Sequence, residues 1–210
     1  MDFPSPKSNI EKLHTYKPNF GKSKINKLIR LSANESALGA SEEAIKALKT
    51  FSDNLNRYPP QVSEELVGAI SKRYSLDKKK IILGNGSDEL ISILAQTFLN
   101  HNDEAIYTEF GFLQFPQAIS IVGAKGVVAN DVNYTASVDN ILSKINKKTK
   151  LIFLANPNNP TGTFISKNEV IRLHESIPKN ILLVYDAAYS EFVVNDDYID
   201  GSELAEKYEN

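Results

Sequence analysis

From residue 81 onward, short apolar runs alternate with longer stretches in which apolar residues recur every three or four positions. "KKIILGNG" leads into "SDELISILAQTFL", "DEAIYTE" into "GFLQFPQAISIVG", and "KGVVAN" into "SVDNILSKIN". "KLIFLAN" then leads into "SKNEVIRLHESI", and "NILLVYDAAY" is followed by "GSELAEKYEN". The short runs read as strands and the longer ones as helices. "KLIFL" and "ILLVY" are apolar throughout, as strands covered on both faces are. Local chemistry agrees with the pattern: Ser166 and Glu169 form a capping box at a helix start, and Pro116 suits a first helical turn. The alternation predicts an α/β fold, a mostly parallel sheet of five strands with helices on both faces.

Upstream, "SEEAIKALKTF" from Ser41 and "SEELVGAISKRY" read as helices joined by the proline-broken "LNRYPPQ". The first thirty residues are polar and irregular, with Pro4, Pro6 and Pro18, and read as an extended arm; the apolar run opening "KLIRLSANES" follows it.

Composition narrows the function classes. The 210 residues are 41% hydrophobic and 24% charged, with a net charge of −2, so no basic field points to nucleic acid. Cysteine is absent, which removes disulfides and thiolate metal sites and fits a reducing compartment. His14, His101 and His174 are too scattered for a metal-ligand spacing. No apolar run approaches about 18 residues, so no membrane span is expected and the cytoplasm is the default location.

In sheets of this class ligands bind beyond the carboxyl ends of the strands. "GNGSDEL" turns tightly through two glycines into a helix N-terminus, a setting that favours phosphate; a plain turn with Ser87 as N-cap is the alternative. The loop lacks the third glycine of a dinucleotide fingerprint and the lysine of a P-loop, which disfavours a nucleotide-binding domain. Phe110 follows the next strand, placed either to join the core or to stack on a ligand ring. "NPNNPTG" fixes φ at Pro157 and Pro160 and holds Asn159 extended, either as a preset amide or as a turn satisfying its own backbone. Asp186 ends an apolar strand, where a carboxylate needs a cationic partner unless it is capping or solvated. Tyr189 lies three residues on.

Taken in order, "GNGSDEL", "EFGF", "NPNNPTG" and "DAAY" resemble the fold-type I pyridoxal-phosphate aminotransferases. "LIRLSANESALGAS" and "LNRYPPQ" narrow the resemblance to the histidinol-phosphate aminotransferase branch, over nearly the whole chain from about residue 10. The resemblance implies pyridoxal 5'-phosphate as cofactor. Its phosphate would be held by the backbone N–H groups of Ser87 and Asp88, and its ring stacked on Phe110. Asn159 and Tyr189 would bond its phenolic oxygen, and Asp186 its pyridinium nitrogen. Tyr58 would reach the phosphate of a neighbouring subunit, implying a homodimer, and Asn34 would lie on the substrate side. Residues 1–40 would form an arm and small-domain segment, and 41–210 part of the large cofactor-binding domain. One departure is Ala187, where this branch usually carries Glu.

The family's Schiff-base lysine is expected about thirty residues past the Asp, hence beyond Asn210. Lys167, in "FISKNE", has the right dipeptide but opens a surface helix on the wrong side of the Asn/Pro corner. The chain is therefore expected to be incomplete, poorly stable alone and inactive. "KKIIL" is expected to lack its neighbours, since the family's last strands stand beside it. The implied activity is amino transfer between L-histidinol phosphate and 2-oxoglutarate. Threonine-phosphate decarboxylase and aromatic aminotransferases share the motifs. From a different class, the alternative is a non-catalytic fragment that binds the cofactor or pairs with a full-length subunit.

Overall fold

The computed structural model describes residues 4–11, 13, 31–60 and 62–210. The remainder of the expected arm, including the "KLIR" run, lies outside the described residues. The chain divides into two compact units, one of Met1–Leu13 with Glu64–Asn210 and one of His14–Ser63.

The smaller unit carries helix α2 (Glu42–Phe51), started by Ser41, whose side chain accepts a hydrogen bond from the Ala44 N–H at 3.2 Å. The larger unit contains α1 (Ser8–Glu11), α3 (Glu64–Tyr74), α4 (Ser87–Phe98), α5 (Gln114–Ile121), α6 (Val138–Ser143), α7 (Lys167–Ser176) and α8 (Ser202–Lys207). Its strands are β1 (Glu104–Thr108), β2 (Lys125–Ala129), β3 (Thr149–Ala155) and β4 (Leu182–Asp186). They form one sheet of order β2-β1-β3-β4, with every neighbouring pair parallel.

Chain direction across the sheet decides where the helices go. The chain steps from β1 outward to β2, then returns and steps from β3 outward to β4 in the opposite direction. Right-handed crossovers with opposite steps place their helices on opposite faces. Two apolar cores follow. Ile91, Ala95, Phe115, Ala118 and Ile119 of α4 and α5 pack with Leu151, Phe153 and Ala155. Val138, Ile141, Val170 and Leu173 of α6 and α7 pack with Ile152 and Leu154. Successive residues of β3 thus serve alternate cores, as the two-residue period of a strand requires. Phe153 and Phe115 are fully buried and stacked, with ring centroids 5.0 Å apart and planes 16° from parallel.

Two expectations are corrected. The expected strand at "KKIIL" is absent from the sheet: Lys78–Lys80 is a short 3-10 turn, and Ile82 is 78% exposed. A strand needs a ladder partner, and β4 rather than this segment follows β3 in the sheet. The capping box at α7 is only half formed. Ser166 Oγ accepts from the Glu169 N–H, but the Glu169 carboxylate accepts two hydrogen bonds from Arg172 instead of reaching back. Among the described residues, no helix is long and apolar enough to cross a membrane, and no cluster of ligating side chains could hold a metal.

Candidate active site

The reversal of chain direction leaves a crevice at the carboxyl ends of β1 and β3, where such sheets bind ligands. A small cavity of ≈ 60 Å³ opens at the strand ends, and Ser87, Asn159, Asp186 and Tyr189 all line it. Four residues drawn from three separate segments of sequence thus meet at one place.

The helix α4 end of the site is built for an anion. Gly86, at φ 81°, precedes Ser87, and no side chain caps the helix. The first N–H groups of the helix, those of Ser87 and Asp88 among them, therefore keep their donor capacity and the positive end of the helix dipole. The preceding loop is braced by Glu89, whose carboxylate accepts from the Asn85 backbone N–H at 2.5 Å and from its side-chain amide at 3.0 Å. A Cβ on Gly84 would come within 2.9 Å of the Leu90 side chain and 3.0 Å of the Glu89 carboxylate, so a larger residue there would displace those side chains.

Asp186 is the opposite pole. It is the last residue of β4, held in register by its carbonyl, which accepts from the Asn156 N–H at 2.9 Å. Its side chain accepts one hydrogen bond, from the Ala188 N–H at 3.1 Å, and among the described residues it has no ion-pair partner. Burial pushes its carboxyl above the usual aspartate range; the Ala188 N–H works against that rise and the nearby Asp88 carboxylate adds to it. A half-buried carboxylate with one donor and no cation is suited to receiving a cationic N–H.

The Asn/Pro corner divides its labour. Both X-Pro bonds, Asn156-Pro157 and Asn159-Pro160, are cis. Asn156 is 1% exposed and ties the corner inward: its Nδ2 donates to Tyr185 Oη at 2.7 Å, and its Oδ1 accepts from the Ile165 N–H at 2.8 Å. Asn158 is also buried, with Nδ2 donating to the Phe110 carbonyl at 2.9 Å and to Thr161 Oγ1 at 2.8 Å. Only Asn159 lines the cavity, together with Pro157. The three asparagines look alike in sequence, and the turn alone decides which one faces the site.

Two aromatics stand at the end of β1. Phe112, not Phe110, lines the cavity. Phe110 stands beside it, 39% exposed, with its ring 5.2 Å from that of Tyr134 and tilted by 45°. Asp88 is exposed and stays out of the lining, although its charge is felt at Asp186. Tyr189 lines the cavity and packs 6.2 Å from Phe192. Ala188 also lines the cavity, whereas Ala187 lines a larger cavity of ≈ 530 Å³ along the edge strand β4 and α8. Lys167, exposed at the start of α7, is absent from the lining. Asn34, at φ 51°, and Tyr58, fully exposed, belong to the smaller unit.

Comparison with known proteins agrees with this architecture. A histidinol-phosphate aminotransferase from Nitrobacter hamburgensis is 45% identical over 209 residues, covering 98% of this chain and 57% of the relative. One from Paramagnetospirillum magneticum is 43% identical over 213 residues, covering 100% of this chain and 58% of the relative. The chain therefore spans somewhat more than half the length of these curated relatives. Among solved structures, histidinol-phosphate aminotransferase from Sinorhizobium meliloti in complex with pyridoxal-5'-phosphate superposes with a TM-score of 0.84 at 22% identity, over 93% of this chain and 54% of that one. An aspartate aminotransferase mutant from Thermus thermophilus gives 0.80 at 19%, over 95% and 55%. These structures share the fold. The sequence pattern of the aminotransferase class I and II family matches residues 26–209, and the chain belongs to that family.

Proposed function

We propose that this chain carries the cofactor-binding part of a histidinol-phosphate aminotransferase, which moves an amino group between L-histidinol phosphate and 2-oxoglutarate in the cytoplasm. The observation that carries the reading is the meeting of Ser87, Asn159, Asp186 and Tyr189 around one cavity at the strand ends. An uncapped helix start and a carboxylate without a cation are complementary to a group bearing phosphate at one end and a protonated ring nitrogen at the other. Pyridoxal 5'-phosphate has both, and when bound it supplies an electron sink for the carbanion formed at the substrate.

Ser87 and Asp88 N–H groups receive the phosphate; Asn159 and Tyr189 hold the phenolic oxygen; Asp186 keeps the ring nitrogen protonated. At ≈ 60 Å³ the cavity is far smaller than a whole ligand pocket of about 300 Å³ or more. The proposal therefore takes it as the slot for the polar edge of the ring. Phe110 closes the ring face, Asn34 serves the substrate side, and the fully exposed Tyr58 is available to a neighbouring subunit's phosphate site in a homodimer. Support for the substrate comes from the names of the relatives that match the chain.

A second reading is favoured by one observation: the residues lining the cavity include no lysine. In it, this chain of 210 residues holds the cofactor without transferring an amino group. Titration with pyridoxamine phosphate, followed by its fluorescence, tests both readings, because that ligand needs no covalent bond. Saturable binding competed by inorganic phosphate is expected; its absence would refute the cofactor reading. Borohydride reduction with pyridoxal phosphate then separates the two. A permanent mass increase on a lysine, together with turnover of histidinol phosphate, supports catalysis, and binding without either supports the second reading.

A further inference from the structure

The turn that follows β2 holds two non-glycine residues at positive φ. Val132 and Thr135 exchange both backbone hydrogen bonds, at 2.9 and 3.0 Å, closing a two-residue hairpin over Asn133 and Tyr134. Both central residues have positive φ, 51° and 61°. Such turns favour Asn at the first position and Gly at the second. Here a tyrosine holds the glycine position, a left-handed conformation that bulky side chains avoid. Strain of this kind persists where the surroundings over-determine it.

The surroundings are Phe110, one of the expected site residues, and the Asn/Pro corner. Tyr134 lays its ring against Phe110 at 5.2 Å. Its carbonyl accepts from Thr163 Oγ1 at 2.8 Å, and Thr163 pairs with Thr161 at 2.9 Å in the Asn/Pro corner. Asp131, immediately before the hairpin, accepts from the Phe110 N–H at 3.3 Å. Asn158 of the corner donates to the Phe110 carbonyl at 2.9 Å, closing the circuit. Phe110 is thus held at its N–H, its carbonyl and its ring, and two of those three holds belong to the segment around this turn.

We propose that the strained Asn133–Tyr134 turn is a brace, with Tyr134 as a positioning residue that fixes the Phe110 ring relative to the Asn/Pro corner so that it can cover the cofactor ring. The inference rests on the cofactor reading above. Tyr134 itself touches no reacting atom; it acts through Phe110. Without the brace, Phe110 would have to be ordered at the moment of binding, and that ordering is subtracted from affinity.

The test uses the chain with two ligands that report on different ends of the site. Inorganic phosphate samples only the α4 N-terminus, and pyridoxamine phosphate samples phosphate and ring together. Tyr134→Gly relieves the backbone and removes the ring; Tyr134→Phe keeps the ring. For Tyr134→Gly the expected result is about tenfold weaker pyridoxamine phosphate binding. Phosphate binding should stay unchanged, and the melting temperature of the free protein should lie within a few degrees of the wild type. Tyr134→Phe should restore pyridoxamine phosphate affinity to within about twofold. The brace is overturned if Tyr134→Gly binds pyridoxamine phosphate like the wild type, if it loses both ligands equally, or if Tyr134→Phe fails to rescue. A wild-type chain that binds neither ligand overturns the cofactor reading itself and the brace with it.

Discussion

Replacing Asp186 by Asn should make the free protein more stable and the cofactor site worse. The substitution preserves shape, and the Asn Oδ1 still accepts from the Ala188 N–H that bonds Asp186 Oδ1 at 3.1 Å. What it removes is a negative charge that has no ion-pair partner among the described residues and that feels the Asp88 carboxylate nearby. Relief of one under-solvated, singly bonded charge in a half-buried position contributes about 1 kcal/mol. For a chain of this length that corresponds to a rise in melting temperature of roughly 2–4 °C. The pH sign follows from burial, which raises the carboxyl above its ordinary value. A raised folded-state pKa contributes stability that is complete below the unfolded aspartate value of about 3.9 and is lost as pH rises through the folded value. The variant's advantage should therefore be absent in acid and full at neutral pH. Against the cofactor the sign reverses. A neutral amide in place of a carboxylate gives up a charge-assisted hydrogen bond of about 1.5–3 kcal/mol, or roughly ten- to a hundredfold in affinity for pyridoxamine phosphate. Differential scanning calorimetry at two pH values and one fluorescence titration cover the whole argument. A variant that melts lower at neutral pH, or that binds pyridoxamine phosphate as tightly as the wild type, refutes it.

Asn156→Ala should destabilise by about 2–4 kcal/mol in urea unfolding, because it strands the buried Ile165 N–H and removes a partner of Tyr185 Oη. Phe153→Ala, at a fully buried ring stacked on Phe115, should cost about 3–5 kcal/mol in the same assay. Glu104 is 7% exposed, and hydrogen bonds from Asn146 and Lys125 hold its carboxyl below the usual glutamate range. That stability is present above the unfolded value of about 4.3 and is lost as pH falls through the folded one, so Glu104→Gln should be destabilising at neutral pH and converge on the wild type in acid, by urea midpoints at each pH. Gly86→Ala meets no atom within 4 Å, yet its φ of 81° should cost about 1–2 kcal/mol and weaken phosphate binding at the α4 N-terminus, measured by calorimetric titration.

Those residues also show how far the sequence could be read. The alternation that named β1 to β4 is a local property, and it is strongest at β3, where cover on both faces leaves the apolar run Leu151–Ala155 buried throughout. Helix starts were equally local, since Ser41 and Ser166 cap within their own next turn. "KKIIL" carries the same apolar signal and forms no strand, because pairing is settled by what lies alongside in space. That Phe112 lines the small cavity was not legible either, for a related reason. Two aromatics two positions apart leave β1 through a turn in which the Gly111 N–H donates to the Thr108 carbonyl at 3.0 Å, and only that turn fixes which ring lines the cavity. Glu89 was likewise invisible as a loop brace, since its bond to Asn85 depends on the helix start bringing the two together.

The Asn/Pro corner carries this reasoning further, because its composition was legible while its division of roles was not. A site that must hold a flat polar molecule needs rigid donors, and a rigid corner has to satisfy its own buried amides first. Asn156 and Asn158 do so by reaching to Ile165, Tyr185, Phe110 and Thr161, which leaves Asn159 as the corner's asparagine on the cavity. Structural and binding asparagines therefore answer to different tests. Loss of Asn156 should appear as lost stability with ligand selectivity intact in the folded fraction. Loss of Asn159, partly exposed, should leave the melting temperature nearly unchanged and weaken pyridoxamine phosphate while sparing inorganic phosphate. If both substitutions unfold the chain to the same degree, the corner is scaffold throughout and its place in the site is wrong.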